Sequence, residues 1–490
     1  MNRSLSFAIS AVFSARIFII VVGALITPLL TRLLGPSSYG QYATILSIFL
    51  LVKILMVSGI RSGTKKYLSE ERSIPNWKNH VLSTYLHISI IFGSLFAFGL
   101  ATLSASGIIA ITFGESYILL FYLLSILALI TQFRNLLVSA LMGLQLEKYS
   151  EPIKIFEKAT FGIVAITLTA IGFGVPGVII GHIISVGLAL LICSVIVHNQ
   201  IDLSKITDPI PKEFPKRELW KFNYSSVLFA FLLYSLYHVD VILLQIFTGE
   251  ETVGYYKAAL VIVELLWVIP RSIQSVLIQS VSEYWRLGSI YKINELSSKI
   301  TKYVSLITIL LAVGLMVLAE AFMPFYFGDS YSPATTPLLI LLPGTICFAV
   351  IRPSLAITHA KGDMRLLITG TGIAAGINII LNMLLIPPYG MVGAAVATTL
   401  GYSSLLITQL LSARSIGYNP FSGTQPVRVI ITGILTGIVL FVVQYNITSP
   451  IHKLIIIPPL GGVLFTLIAI GLGIITWEKI RTTWTMIFTD

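Results

Sequence analysis

Apolar runs of 18 or more residues, each long enough to cross a bilayer as a helix, recur along the whole chain and are separated by short polar breaks. The pattern predicts fourteen helices, near residues 8–33, 39–60, 80–104, 116–145, 153–172, 176–198, 220–247, 253–284, 300–323, 334–358, 365–386, 391–413, 427–445 and 455–477. The first run extends about 25 residues and lacks a small-residue cleavage pattern, so it reads as the first span and not as a removable signal. The fold class expected is all-α and integral to a membrane.

The breaks are not equivalent. Lys and Arg crowd into alternate ones: Arg61, Lys65, Lys66, Arg72 and Lys78 in 61–79, and Lys148, Lys154 and Lys158 in 146–158. The same set continues with Lys205, Lys212, Lys216, Arg217 and Lys221 in 199–221, and with Arg286, Lys292, Lys299 and Lys302 in 285–302. Its later members hold Lys361, Arg365, Arg414, Arg428, Lys479 and Arg481, whereas the opposite breaks hold only Arg32, Lys257 and Lys453. Loop cations stay on the cytoplasmic side, so both termini are expected there, in a multi-pass protein of the cell membrane. The even number of spans agrees.

The chain is also written twice. Phe113-Gly114-Glu115-Ser116-Tyr117 returns as Phe327-Gly328-Asp329-Ser330-Tyr331, and Gly35, Gly40 and Tyr42 return as Gly249, Gly254 and Tyr256, all at an offset of 214. Gly174 and Gly177 match Gly390 and Gly393 at an offset of 216. Six spans per copy is an even number, so the two repeats are parallel, related by an axis along the membrane normal. The expected organisation is an N-lobe at 1–200, a cytoplasmic linker at 201–219 stiffened by Pro209, Pro211 and Pro215, a C-lobe at 220–414, and two extra C-terminal helices within 427–478. Two six-helix repeats of this kind are expected to face a central cavity, a common transporter plan.

Composition narrows the function. Hydrophobic residues make up 56% of the 490 and charged residues 11%, against roughly 25% charged in soluble domains. The formal charge of +11 therefore reports topology and gives no reason to expect a nucleic acid. Cys193 and Cys347 fall inside predicted spans, and neither HxxxH nor CxxC occurs, so no disulfide framework and no metal site are expected. External connections are about a dozen residues or shorter, too short to carry an enzyme's active site.

Five basic residues remain inside the spans, Arg16, Lys53, Arg134, Arg271 and Arg352, against two acids well inside, Asp240 and Glu264. A charge near the bilayer centre costs about 2.5–3.5 kcal/mol, so each cation either snorkels to the cytoplasmic interface or lines a wet cavity with anionic contents. Lys53 and Arg271 lie on equivalent helices of the two copies at an offset of 218, and Arg134 and Arg352 do the same. That match favours the cavity. Glu264, Arg271 and Gln274 are expected on one face of the eighth span, at i, i+7 and i+10, and Pro270 marks that span as a moving element. Asp240 and Glu264 are read as gate residues or as a site for a coupling ion, H+ or Na+. For Asp240 with His238 the alternative is an interhelical hydrogen bond. His87 and His182 read as structural. Gly372 and Gly376 form a GxxxG that admits a neighbouring helix, and Asn378 and Asn382 are expected to bond across helices.

The string LLTRLLGPSSYGQYATILSIF, a first span ending in R-L-L-G-P-x-x-Y-G, resembles the entry signature of polysaccharide-export flippases, the O-antigen-flippase-like family of the multidrug/oligosaccharidyl-lipid/polysaccharide exporter superfamily. GIRSGTKKYLSEER after the second span, YGMVGAAVATTLGY before the twelfth and the span count are similar as well. The resemblance covers essentially the whole chain. It implies a flippase, not an enzyme, that moves a polyprenyl- or dolichyl-(pyro)phosphate-linked sugar from the cytoplasmic to the external leaflet by alternating access, for cell-surface polysaccharide or glycoprotein assembly. It implies that Arg16, Lys53, Arg134, Arg271 and Arg352 hold the phosphate headgroup while the tail stays in membrane lipid. No cofactor is expected, glycosyltransferases or polymerases are the expected protein partners, and the working unit is expected to be a monomer.

Two rivals stand beside this reading. A cation-coupled multidrug antiporter of the same superfamily needs acids in its cavity, where this chain has a cationic excess. A membrane glycan polymerase or ligase needs a sizeable external loop. Spans thirteen and fourteen either extend a lipid-facing groove or pack on the outside.

Overall fold

The computed structural model describes residues 3–201, 209, 211–221 and 224–475, with the side chains of 3–17, 220, 221, 275, 276 and 279 outside the description. All regular structure among them is helical. The chain divides into two compact units, 1–254 and 255–490. The first holds Arg3–Ser69 (α1), Trp77–Ala105 (α2), Ile108–Phe113 (α3), Ser116–Gly143 (α4), Glu147–Leu168 (α5), Gly174–His198 (α6), Lys216–Lys221 (α7) and Tyr224–Thr248 (α8). Within it α1 packs on α4, α8 and α5, and α6 packs on α4 and α5. Glu250–Leu265 (α9) crosses the division. The second unit holds Val268–Arg286 (α10), Ile290–Phe327 (α11), Thr335–Lys361 (α12), Met364–Ser415 (α13), Pro426–Tyr445 (α14) and Pro450–Gly471 (α15). There α12 packs on α10, α11 and α13, and α14 and α15 pack on α11. By contacts α8 packs on α1 and groups with the first unit.

Ten helices among the described residues are long and apolar enough to cross a membrane, or eleven when α9 and α10 count as one bent span. Large apolar side chains such as Phe98, Leu384 and Phe441 are more than 60% exposed, a surface that only lipid satisfies. The chain is a multi-pass membrane protein. The stretches 18–69, 147–198 and 364–415 each hold two helices joined at a non-helical glycine, where two spans and a short break are expected. The glycine absorbs the turn. Gly35 (φ 70°, ψ 172°) precedes Pro36, and Gly390 (φ 54°, ψ −131°) follows Pro387 and Pro388.

The eighth span is broken, which corrects the one-face expectation for Glu264, Arg271 and Gln274. Proline at 270 has no N–H to offer the carbonyl of Leu266, one turn back. The backbone tightens instead, with Leu266 N donating to Val263 O at 3.1 Å and Trp267 N to Glu264 O at 3.0 Å. The limbs on either side meet at a 52° bend. Glu264 therefore pairs with Lys257 (3.6 Å) on its own limb, and Gln274 accepts a bond from Arg352 (3.1 Å).

Gly40 and Gly254, matched by the sequence repeat, lie against each other. A Cβ on Gly40 would run into the Glu250 carbonyl and reach the Gly254 nitrogen at 2.8 Å; one on Gly254 would run into the Pro36 carbonyl. Ser37 and Gln41 donate to the Glu250 carboxylate beside this crossing, at 3.1 and 3.2 Å. The GxxxG of α13 has no such role at Gly376, where a Cβ would have no neighbour within 4 Å. Close approach falls at Gly370, whose Cβ would lie 2.7 Å from the Gln409 amide. Asn378 donates to Thr398 at 3.5 Å across the Gly390 break, whereas Asn382 turns back to the Asn378 carbonyl at 2.9 Å.

Linker residues 202–208 and 210 lie outside the described residues. The segment after them docks on the first unit. Phe214 is buried, its ring 5.1 Å from that of Trp77 and 5.9 Å from that of His80. Arg72 joins Glu70 (2.7 Å) to Glu218 (3.1 Å) and lies 4.6 Å over Trp77. Hydrogen bonding to Glu218 holds the Arg72 guanidinium protonated beyond the ordinary arginine range. Phe214→Ala is expected to cost about 3 kcal/mol or more, the usual penalty for emptying an aromatic core site. A lower thermal midpoint and faster tryptic cleavage at Lys212 and Arg217 measure it; unchanged cleavage contradicts the docking.

Candidate functional site

The first unit encloses a cavity of about 400 Å³ lined by Lys53, Arg61, Arg134, Glu151 and Lys154, with Asn135, Ser139 and Tyr234. Helical spacing puts these groups together. Leu50, Lys53, Ile54, Val57, Ser58 and Arg61 follow one another at i, i+3, i+4, i+7, i+8 and i+11, a single face of α1. Arg134, Asn135, Val138, Ser139 and Met142 form the matching face of α4. Glu151 and Lys154, one turn apart, come from α5.

Four cations and one carboxylate therefore line the space. Two of the cations are held. Arg134 forms an ion pair with Glu157 of α5 and a hydrogen bond to Asn135 (3.3 Å), and Lys154 forms an ion pair with Glu151. Lys53 differs. Its ammonium lies 5.6 Å from the Phe49 ring centre, and among the described residues no carboxylate comes within ion-pair distance of it. A cluster of this sign, set in apolar walls, concentrates anions.

The structure thus brings together Lys53 and Arg134 of the five cations expected from sequence and adds Arg61, Glu151, Lys154 and Glu157. Arg61 and Glu151 sit in stretches that hydropathy assigns to loops, and Lys154 and Glu157 sit at the very start of the fifth expected span. Their signal was the spacing itself, since Arg61 is two turns beyond Lys53 and α1 continues as helix to Ser69. The Arg16 side chain lies outside the described residues. Arg352 and Arg271 belong to the second unit. Arg352 is 3% exposed and boxed by aromatic faces, 4.5 Å over Phe348 and 5.3 Å over Trp267, with Gln274 as hydrogen-bond acceptor. Arg271 is exposed on α10.

Asp240 is buried on α8, where its carboxylate accepts from the Val241 N–H at 2.8 Å and Tyr237 and His238 precede it. His182 stacks on Phe161 at 3.8 Å and meets the Tyr42 hydroxyl at 3.0 Å; His87 meets its own backbone at Ser83 O, 2.7 Å away. In the second unit an apolar groove of about 630 Å³ runs between α11, α12 and α14, past Ile309, Met316, Ile430, Gly433 and Phe441.

A helical membrane bundle with a cation-lined pocket inside its first unit defines the class, a multi-pass membrane protein. The chain belongs to the polysaccharide biosynthesis protein family, whose model matches residues 29–336. It is 29% identical over 218 residues to the probable low-salt glycan biosynthesis flippase Agl15 of Haloferax volcanii, a match spanning 44% of this chain and 46% of that one. It is 25% identical over 352 residues to the uncharacterized membrane protein MJ1068 of Methanocaldococcus jannaschii, spanning 70% of this chain and 68% of that one. The chain therefore matches under half the length of the Haloferax relative. Its fold is similar to that of the lipid II flippase MurJ in an inward closed conformation, with TM-score 0.72 and 14% identity over 93% of this chain and 97% of that one. It is also similar to an inward-facing multidrug resistance MATE family transporter of the MOP superfamily, with TM-score 0.67 and 16% identity over 82% of this chain and 95% of that one.

Proposed function

We propose that this protein flips a polyprenyl- or dolichyl-(pyro)phosphate-linked sugar from the cytoplasmic to the external leaflet by alternating access, with the phosphate seated among Lys53, Arg61, Arg134 and Lys154. The observation that carries the reading is the cationic excess of the first unit's cavity. A sugar phosphate is large, polar and anionic, and its tail is soluble in lipid. Several partly solvated cations offset the headgroup's desolvation and still release it, which one tight bidentate clamp does poorly. Family membership supports the reading, as do the glycan flippase name of the Haloferax relative and the likeness to a lipid II flippase.

The remaining assignments belong to the same proposal. Each 52-residue stretch makes two passes about its glycine break, which with the bent α9–α10 span brings the count to fourteen and leaves both termini in the cytoplasm. Arg16, Arg271 and Arg352 serve the headgroup at other stages. Asp240 and Glu264 serve as a gate or a coupling-ion site for H+ or Na+. The apolar groove beside α14 takes part of the lipid tail. The protein works as a monomer in the cell membrane beside glycosyltransferases or polymerases.

Purified protein in liposomes tests the core of this. A fluorescent dolichyl-phosphate-linked sugar is expected to become accessible on the opposite leaflet only when protein is present. Ethidium efflux driven by a proton gradient, without movement of the lipid-linked sugar, would instead identify the multidrug antiporter.

A further inference from the structure

We propose that Glu157 is an internal counter-ion that occupies Arg134 when the site is empty, yields it to the phosphate when the site fills, and so sets how fast the headgroup is released. This rests on the headgroup reading of the cavity and adds a residue that the reading does not need.

The geometry is specific. Arg134 faces the cavity and Glu157 stands behind it, joined to the guanidinium but absent from the lining. The pair is largely buried, with side-chain exposures of 12% for Arg134 and 23% for Glu157. The charged groups around Glu157 come from each element packed on α5. They are Lys53 and Arg61 of α1, Arg134 of α4, and Glu151, Lys154 and Lys158 of α5 itself, with the Cys193 thiol on α6. Cations dominate this set. The carboxylate therefore opposes their mutual repulsion while the cavity is empty. It opposes phosphate, at short range, when the cavity is full.

A transport site has to bind and let go. Four cations about a 400 Å³ space with no opposing charge would hold a phosphate firmly. An acid placed behind one of them, out of the ligand's volume, weakens the bound state without blocking entry. Arg134 exchanges one anionic partner for another, and neither state strands its charge in an apolar wall. Glu151 holds Lys154 in the same manner and is 3% exposed, so at least two of the four lining cations carry their own anion.

The test is equilibrium binding of radiolabelled dolichyl mannosyl phosphate to the full-length protein, paired with its translocation rate in liposomes. Glu157→Gln is expected to bind the probe roughly tenfold more tightly, as loss of a close like charge requires, and to translocate it more slowly. Glu157→Asp restores the charge and is expected to move both values back toward wild type. A pair that serves only the fold gives the opposite result, with Glu157→Gln binding no more tightly than wild type, and that outcome overturns the proposal.

If Glu157→Gln fails to fold, the double variant Arg134→Gln/Glu157→Gln decides, since it strands neither charge. Weaker binding than wild type shows that Arg134 serves the ligand. Equal binding shows that Arg134 never leaves Glu157 and ends the proposal. Absence of saturable binding by the wild-type protein removes the headgroup reading itself, a failure distinct from the others.

Discussion

Under the proposed function, Lys53→Gln is expected to lower translocation of a lipid-linked sugar by about one to two orders of magnitude and to leave the folded protein at least as stable as wild type. A hydrogen bond to a charged group contributes about 1.5–3 kcal/mol, which corresponds to that range. The second half of the expectation separates Lys53 from its neighbours. Among the described residues its ammonium has no ion-pair partner, and the charges nearest it are Arg134 across the cavity, Arg61 two turns along the same helix face, and the Glu157 carboxylate that Arg134 holds. Removing it strands no acid and relieves repulsion. Arg134→Gln, by contrast, takes from the largely buried Glu157 carboxylate its ion-pair partner and is expected to cost about 3 kcal/mol of stability, the low end for a broken buried pair because other cations lie near it. Initial rates in liposomes and thermal midpoints in detergent, taken together, check both halves. A wild-type rate for Lys53→Gln removes Lys53 from the site; a fallen midpoint makes it a residue of the fold.

Gly40→Val is expected to prevent recovery of folded, monodisperse protein, and Gly40→Ala to lower stability by about 3 kcal/mol or more, the upper range for overpacking. The reason is that the obstacle is backbone. The new methyl would meet the Glu250 carbonyl and the Gly254 nitrogen, neither of which can rotate away as a side chain does. The helices would have to part, and the bonds from Ser37 and Gln41 to Glu250 would go with them. Gly99→Ala is the control. It lies within α2, a Cβ there meets nothing within 4 Å, and alanine is the better helix former by about 1 kcal/mol. The control is expected to be neutral or stabilising. Equal loss in both variants would mean that the Gly40 crossing is not tight in the folded protein.

Membrane helices are legible in this chain because burial in lipid demands long apolar runs, and nothing else in the sequence produces them. The joints were less so. Gly35 and Gly390 announce turns, and turns between spans are what hydropathy leads one to expect. Only the coordinates show the helical pattern resuming on the next residue. The break in the eighth span was signalled by Pro270 but falls earlier, since the missing N–H is felt by the carbonyl one turn before it. Lys53 and Arg134 were readable as cations without a place in lipid. Arg61, Lys154, Glu151 and Glu157 were not, because a charge at the edge of an apolar run looks like a loop residue until the helix is seen to continue. The bond between Arg352 and Gln274 joins α12 to α10, and no spacing along one helix encodes it.

The single column from Pro36 to Ser69 has a mechanical consequence. Its glycine crossing at residue 40 can act as a fulcrum, and Lys53 stands thirteen residues along the lever arm. At 1.5 Å per residue that arm is about 20 Å long, so a tilt of about 10° at the crossing swings the ammonium by about 3 Å. That is the reach of one hydrogen bond. In the proposed function, a rocking motion too small to disturb the packing at Gly40 would be enough to make or break one contact between Lys53 and a phosphate at the other end.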